Sequence, residues 1–104
     1  MLTVRTITSE NFERTVIQQE IKMLIDFGTE ANPKCRKVRS IMDQIDRERG
    51  DIIVGRVDID KHPEIAARLS ISVNPTIVAM RCGRIIGMLT GEQPKEIIES
   101  LLGL

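Results

Sequence analysis

With 104 residues and fifteen basic side chains matched by fifteen acidic ones, the chain has the length of one domain, read as residues 1–104, and no net field to favour nucleic acid or an anionic membrane. Two cysteines and one histidine are too few for a secreted disulfide framework or a zinc site, so no metal and no cofactor is expected. No apolar run reaches the ~18 residues of a membrane span, and the start MLTVRTITSE lacks the basic and long apolar parts of a secretory leader; the expectation is a soluble cytoplasmic protein.

Leu2 to Ile7 alternates apolar and polar residues as a half-buried strand does. Ser9 is placed to cap a helix whose inner face holds Phe12, Val16 and Ile17. Ile21, Met23, Leu24, Ile25 and Phe27 are too continuous for a surface strand and too few for a helix, so Ile21 to Phe27 reads as a strand buried on both faces. Asp26 then lies inside the core, where an ionised carboxylate is costly. It is expected to be paired, hydrated or raised in pKa.

An irregular break follows, from Gly28 to Cys35. Val38, Ile41, Met42 and Ile45 then recur at i, i+3, i+4 and i+7 and define one face of a helix that ends near Gly50, with Cys35 in its first turn. Ile52 to Ile59 is another mostly apolar strand. Pro63 suits the first position of a short helix with Ile65, Ala66 and Leu69 inward. Strands alternating with helices imply right-handed crossovers and parallel pairing. The pattern changes at Thr76 to Met80 and Ile85 to Leu89, two strands joined by Arg81-Cys82-Gly83-Arg84. That spacing is a hairpin's, and the sheet turns antiparallel there. Pro94 opens a last helix with Ile97, Ile98, Leu101 and Leu102 on one face, and Gly103 closes it.

The order βαβαβαββα describes an α/β chain with a mixed five-stranded sheet flanked by four helices. With a cysteine at the start of the second helix, the chain resembles the thioredoxin family over nearly its whole length. Leu24-Ile25-Asp26-Phe27 looks like the family's buried strand with its buried aspartate, and Val73-Asn74-Pro75-Thr76 looks like its cis-proline loop. Asp58-Ile59-Asp60 followed by Pro63 is similar to the third strand and its turn, and Thr90-Gly91 to the glycine after the last strand. The resemblance implies a thioredoxin-like fold. It breaks at the active-site segment, where the family has Trp-Cys-Gly-Pro-Cys and this chain has Ala31-Asn32-Pro33-Lys34-Cys35. The second, resolving cysteine is kept, asparagine stands for the attacking one, and the flanking tryptophans are missing at Gly28 and Ala31.

Dithiol reduction begins when an exposed thiolate attacks a substrate disulfide, and the second cysteine then releases the mixed disulfide. Asparagine cannot begin it. The helix N-terminus with Lys34, Arg36 and Lys37 favours a thiolate at Cys35, whereas the resembling position in the family lies beneath the first cysteine, with poor access. Cys35 is therefore either a small buried apolar residue or a single reactive thiol. The resemblance also gives Asp26 a part in proton transfer at the second cysteine, with Arg56 in place of the family's lysine on the adjoining strand. Arginine stays charged and is expected to hold Asp26 ionised, which favours a structural pair over a working acid or base. Pro75 by resemblance faces the active-site segment, and the backbone before it pairs with extended peptides; its other reading is that it only shapes the loop.

Two functions result. The leading one is a peptide- or partner-binding module with a degenerate Asn-Pro-Lys-Cys site, holding a protein or extended peptide between Asn32, Pro33 and Lys34 on one side and Asn74 and Pro75 on the other. The alternative is a thiol-disulfide oxidoreductase of cell redox homeostasis, in which Cys35, with Asp26, forms mixed disulfides with a protein or glutathione. Lys34, Arg36, Lys37 and Arg39 read as a solvated helix face, and His62 as an exposed turn residue and not a ligand. With Phe12 and Phe27 as the only aromatics, a stacking platform for nucleic acid is missing. Cys82 sits in the hairpin turn, roughly 20 Å along its strand from Pro75, too far to bond Cys35, since a disulfide needs Cα atoms within ~7 Å.

Overall fold

Local sequence decides where the strands begin and end. In the computed structural model, which describes residues 3–103, the strands are Arg5–Thr6 (β1), Met23–Gly28 (β2), Ile53–Asp58 (β3), Thr76–Arg81 (β4) and Arg84–Thr90 (β5). They form one sheet in the order β1-β3-β2-β4-β5. Because β2 runs parallel to β3 and antiparallel to β4, the expected mixed five-stranded α/β sheet is what the chain builds. The helices are Pro33–Glu48 (α1), Pro63–Arg68 (α2) and Lys95–Ser100 (α3), with a π-helical turn at Glu13–Ile17 as the fourth.

All six positions of β2 are buried, which is why it reads as a continuous apolar run. Its side chains alternate between faces. Met23, Ile25 and Phe27 join Phe12, Val16 and Ile65 in one core, while Leu24 packs with Val38, Met42 and Ile45 of α1 in the other. Asp26, two residues after Leu24, shares the α1 face. Burying a Leu, Ile or Phe side chain contributes about 1.5–3 kcal/mol, so a strand with a core on each side is a rigid base for the segment that leaves its end. The β2–β3 register places Asp26 directly beside Arg56.

The chain's margins depart from expectation. Only Arg5 and Thr6 pair as β1, both exposed, and Leu2 lies outside the described residues. Ser9 caps nothing. Thr8 and Asn11 satisfy each other instead, Asn11 Oδ1 accepting the Thr8 N–H at 2.8 Å and Thr8 Oγ1 the Asn11 N–H at 3.2 Å, so the helical turn starts only at Glu13. Its wider winding shows in the Gln18 N–H bond to Glu13 O at 3.0 Å. Ile21 is 50% exposed because its segment turns outward to meet the hairpin, where Gln19 O accepts the Cys82 N–H. Ile97 is 42% exposed, since α3 has only six residues and turns Ile98 inward. The tight turn between β4 and β5 has positive φ at both central residues, Cys82 (53°) and Gly83 (75°), the geometry that matches strand twist in a two-residue hairpin.

Candidate functional site

The site begins where β2 ends. Asn32 stands just ahead of α1 in extended backbone conformation and caps the helix, its Oδ1 accepting the Lys34 N–H at 2.9 Å. Pro33 takes the first helical position, where a missing N–H leaves no bond unmade. Capping uses one end of the Asn32 amide and leaves the other free. Its Nδ2 donates to Asn74 Oδ1 at 2.7 Å and to Asn74 O at 3.3 Å. Asn74 in turn precedes Pro75 through a cis peptide bond. The loop is held by Thr76 Oγ1 donating to Val73 O at 2.6 Å and by the Gly91 N–H donating to Pro75 O at 2.8 Å.

Cys35 lies one turn into α1, below this tie. Its Sγ donates to the same Asn74 Oδ1 at 3.3 Å, and the residue is 2% exposed. One amide oxygen thus accepts from both the asparagine and the thiol. The structure brings Asn32, Asn74 and Cys35 into contact, with Pro33 and Lys34 exposed beside them and Pro75 buried beneath. Cys82 is exposed and free, and Cys35 is free as well.

Asp26 lies deeper, 3% exposed. Arg56 reaches it only at long range, Nε to Oδ2 at 3.7 Å, while its Nη2 makes a 2.9 Å bond to Asp43 of α1. Arg56 favours the ionised form of Asp26 as expected, but burial outweighs it and pushes the carboxyl up from 3.8 to about 6, against the attraction of Arg56 and Arg39. Desolvation wins because the arginine's short bond goes elsewhere. Asp43 carried no sequence signal of its own, and the visible trace is its place four residues after Arg39 on one helix face.

Between these groups lies a chamber of about 40 Å³, walled by Asp26, Gly28, Cys35, Arg39, Arg56 and their neighbours. Glu30, Arg39, Arg56 and Asp58 also line a cleft of about 290 Å³ that runs on past Lys61 and His62. Gly28 keeps the chamber open, since a Cβ there would sit 3.0 Å from Cys35 Sγ and 3.6 Å from Asp26 Oδ1. Arg39 does not belong to the solvated face with Lys34, Arg36 and Lys37; it turns inward, and its Nη2 lies 3.6 Å from Glu30. His62 is partly buried at the start of α2, with Nδ1 3.1 Å from Ser9 Oγ. Among the described residues, no cluster of three or more His, Cys, Asp or Glu is arranged to hold a metal ion. No helix among them is long and apolar enough to cross a membrane.

The family model described as Thioredoxin matches residues 3–103. The chain belongs to the thioredoxin family. A "Thioredoxin" of Porphyra purpurea is 30% identical over 102 residues, covering 97% of this chain and 95% of the relative. Another, from Alicyclobacillus acidocaldarius, is 30% identical over 98 residues, covering 93% and 92%. "Thioredoxin 1" of a Nostoc species is 28% identical over 97 residues, covering 92% and 91%. Family membership and the observed sheet together give the thioredoxin-like fold expected from the element order. Within that fold, Cys35 is the only cysteine between β2 and β3.

Proposed function

We propose that this thioredoxin-family chain is a cytoplasmic binding module with a degenerate active site, in which Asn32 stands in place of the family's attacking cysteine. It takes an extended segment of a protein partner across Asn32, Pro33, Lys34, Asn74 and Pro75. The supporting observation is the shared acceptor at Asn74: Asn32 and Cys35 both donate to it, so the groove surface presents an amide pair and the thiol stays beneath. A thiol that cannot touch a bulky disulfide has no rate of exchange with it. Val73, 47% exposed beside Asn74, supplies apolar surface for a partner's side chain, and the exposed Lys34 supplies charge.

The test is insulin reduction by dithiothreitol. The natural protein is expected to be inactive and Asn32→Cys to be active but slow. Residues three apart at a helix start have β-carbons ~5–6 Å apart, which a small adjustment brings within reach of a disulfide. Turnover by the natural protein at the variant's rate would refute the reading. A second reading keeps the family's redox role through one thiol. What favours it is Asp26, whose carboxyl at about 6 is suited to accept a proton near neutral pH. Under that reading native protein incubated with oxidised glutathione gains a mixed disulfide at Cys35; under the first it gains one at Cys82 alone.

A further inference from the structure

Cys35 has two surroundings. Toward the groove its thiol bonds Asn74; toward the interior it lines the chamber with Asp26, Gly28, Arg39 and Arg56. Three polar atoms at this place are buried without a hydrogen-bond partner: Asp26 Oδ1, Arg39 Nε and Arg56 Nε. The Asp26 side chain is only 4% exposed. Two fixed N–H donors and one carboxyl oxygen around so small a space define what fits, a molecule of one or two heavy atoms that both donates and accepts hydrogen bonds. A water needs roughly 10–15 Å³ of such volume, so about 40 Å³ has room for two or three such heavy atoms. Water meets the description, and so does hydrogen peroxide. A disulfide or a peptide does not. The adjoining cleft shares Glu30, Arg39, Arg56 and Asp58 with it as walls.

We propose that Cys35 is oxidised by hydrogen peroxide that enters through the Arg39–Arg56 cleft, giving a sulfenic acid. A sulfur lone pair forms the S–O bond to the nearer peroxide oxygen, which keeps its hydrogen. The O–O bond breaks and its electron pair leaves with the farther oxygen, which takes up the thiol proton and departs as water. Sulfur is oxidised and the peroxide is reduced. Arg39 Nε–H and Arg56 Nε–H supply donors for the negative charge that grows on the departing oxygen. Within the chain the only other thiol is Cys82, in the turn at the opposite end of β4 from Pro75, so no neighbouring cysteine resolves the acid. It persists while the fold keeps solution thiols from the buried sulfur, and condenses to a disulfide once unfolding admits one.

Cys82 provides an internal control, being exposed where Cys35 is buried. A bulky aromatic disulfide reagent is expected to modify Cys82 and spare Cys35 in the native protein. Exposure to dilute hydrogen peroxide, followed by catalase and unfolding in the presence of dimedone so that the trap reaches both sulfurs, is expected to reverse that order, labelling Cys35 about tenfold faster than Cys82 by peptide mass spectrometry. Labelling of Cys35 at or below the Cys82 rate overturns the proposal. Gly28→Ala puts a methyl against the thiol, and Arg39→Leu removes one donor from a residue on the rim. Each is expected to lower the Cys35 rate about tenfold and leave Cys82 unchanged. Folding of each variant is checked by circular dichroism, and a folded Arg39→Leu protein with the original Cys35 rate overturns the route through the chamber. The outcome is independent of the insulin assay, which reads Asn32 and not this chamber.

Discussion

At Asp26 two opposing effects meet, and their magnitudes decide the outcome. An arginine on the next strand was readable from the sequence, and so was the cost of burying a carboxylate. What the sequence hid was that Arg56 spends its 2.9 Å bond on Asp43, a residue on a different element. Because the folded-state value is about 6 against 3.8 for the free group, the native state binds the proton more tightly than the unfolded chain between those pH values. Stability therefore falls as pH rises through that window, by on the order of 3 kcal/mol for this group. Asp51, held down to about 2 by its hydrogen bond to Arg49, acts with the opposite sign and below pH 4, so the two effects separate. Asp26→Asn is expected to flatten the decline between pH 4 and pH 6. Urea unfolding at several pH values, followed by far-ultraviolet circular dichroism, measures it, and an unchanged slope counts against Asp26 as the cause.

At the scale of elements, legibility tracked burial. β2 and α1 were readable because one is buried at every position and the other buries Val38, Met42 and Ile45 in register. Ser9 misled because a capping residue is recognised by type, whereas the reciprocal Thr8–Asn11 bonds depend on a turn the sequence does not announce. Ile97 misled for another reason: an apolar residue on a helix of six residues need not be covered, and it is 42% exposed. In the β4–β5 hairpin the turn residue is constrained twice. Gly83 has φ of 75°, and a Cβ there would lie 3.1 Å from the backbone oxygen of Ile17. Gly83→Ala is expected to lower stability by about 1 kcal/mol or somewhat more. The midpoint of denaturant unfolding should fall with little change in slope; an unchanged midpoint would mean that the turn relaxes without strain.

Across the whole molecule, the two cores share one wall, the central strand. Phe27 is fully buried in it, and truncating a buried phenylalanine typically costs about 3–5 kcal/mol. Against a total of about 5–15 kcal/mol for an ordinary domain, Phe27→Ala should bring the protein near its unfolding threshold. Loss of α1 and of the sheet together in one thermal transition is the expected result, whereas helix signal surviving the loss of sheet would show that the cores fail separately. Asn32, Pro33, Lys34, Asn74 and Pro75 stood out in the sequence because they are contiguous or lie beside a proline, while the chamber did not, since Gly28, Arg39 and Arg56 meet only after three elements pack. Asn32 joins these scales, because its two ends serve two different structures, the start of α1 and the loop before Pro75. Replacing an asparagine cap costs about 1 kcal/mol, and here the same change also unties the loop. On the proposed reading, a lineage that exchanged cysteine for asparagine at this position gained both anchors in a single step. On that same reading, going back would forfeit both before any catalysis returned, and the stability of the fold would itself oppose the reversal.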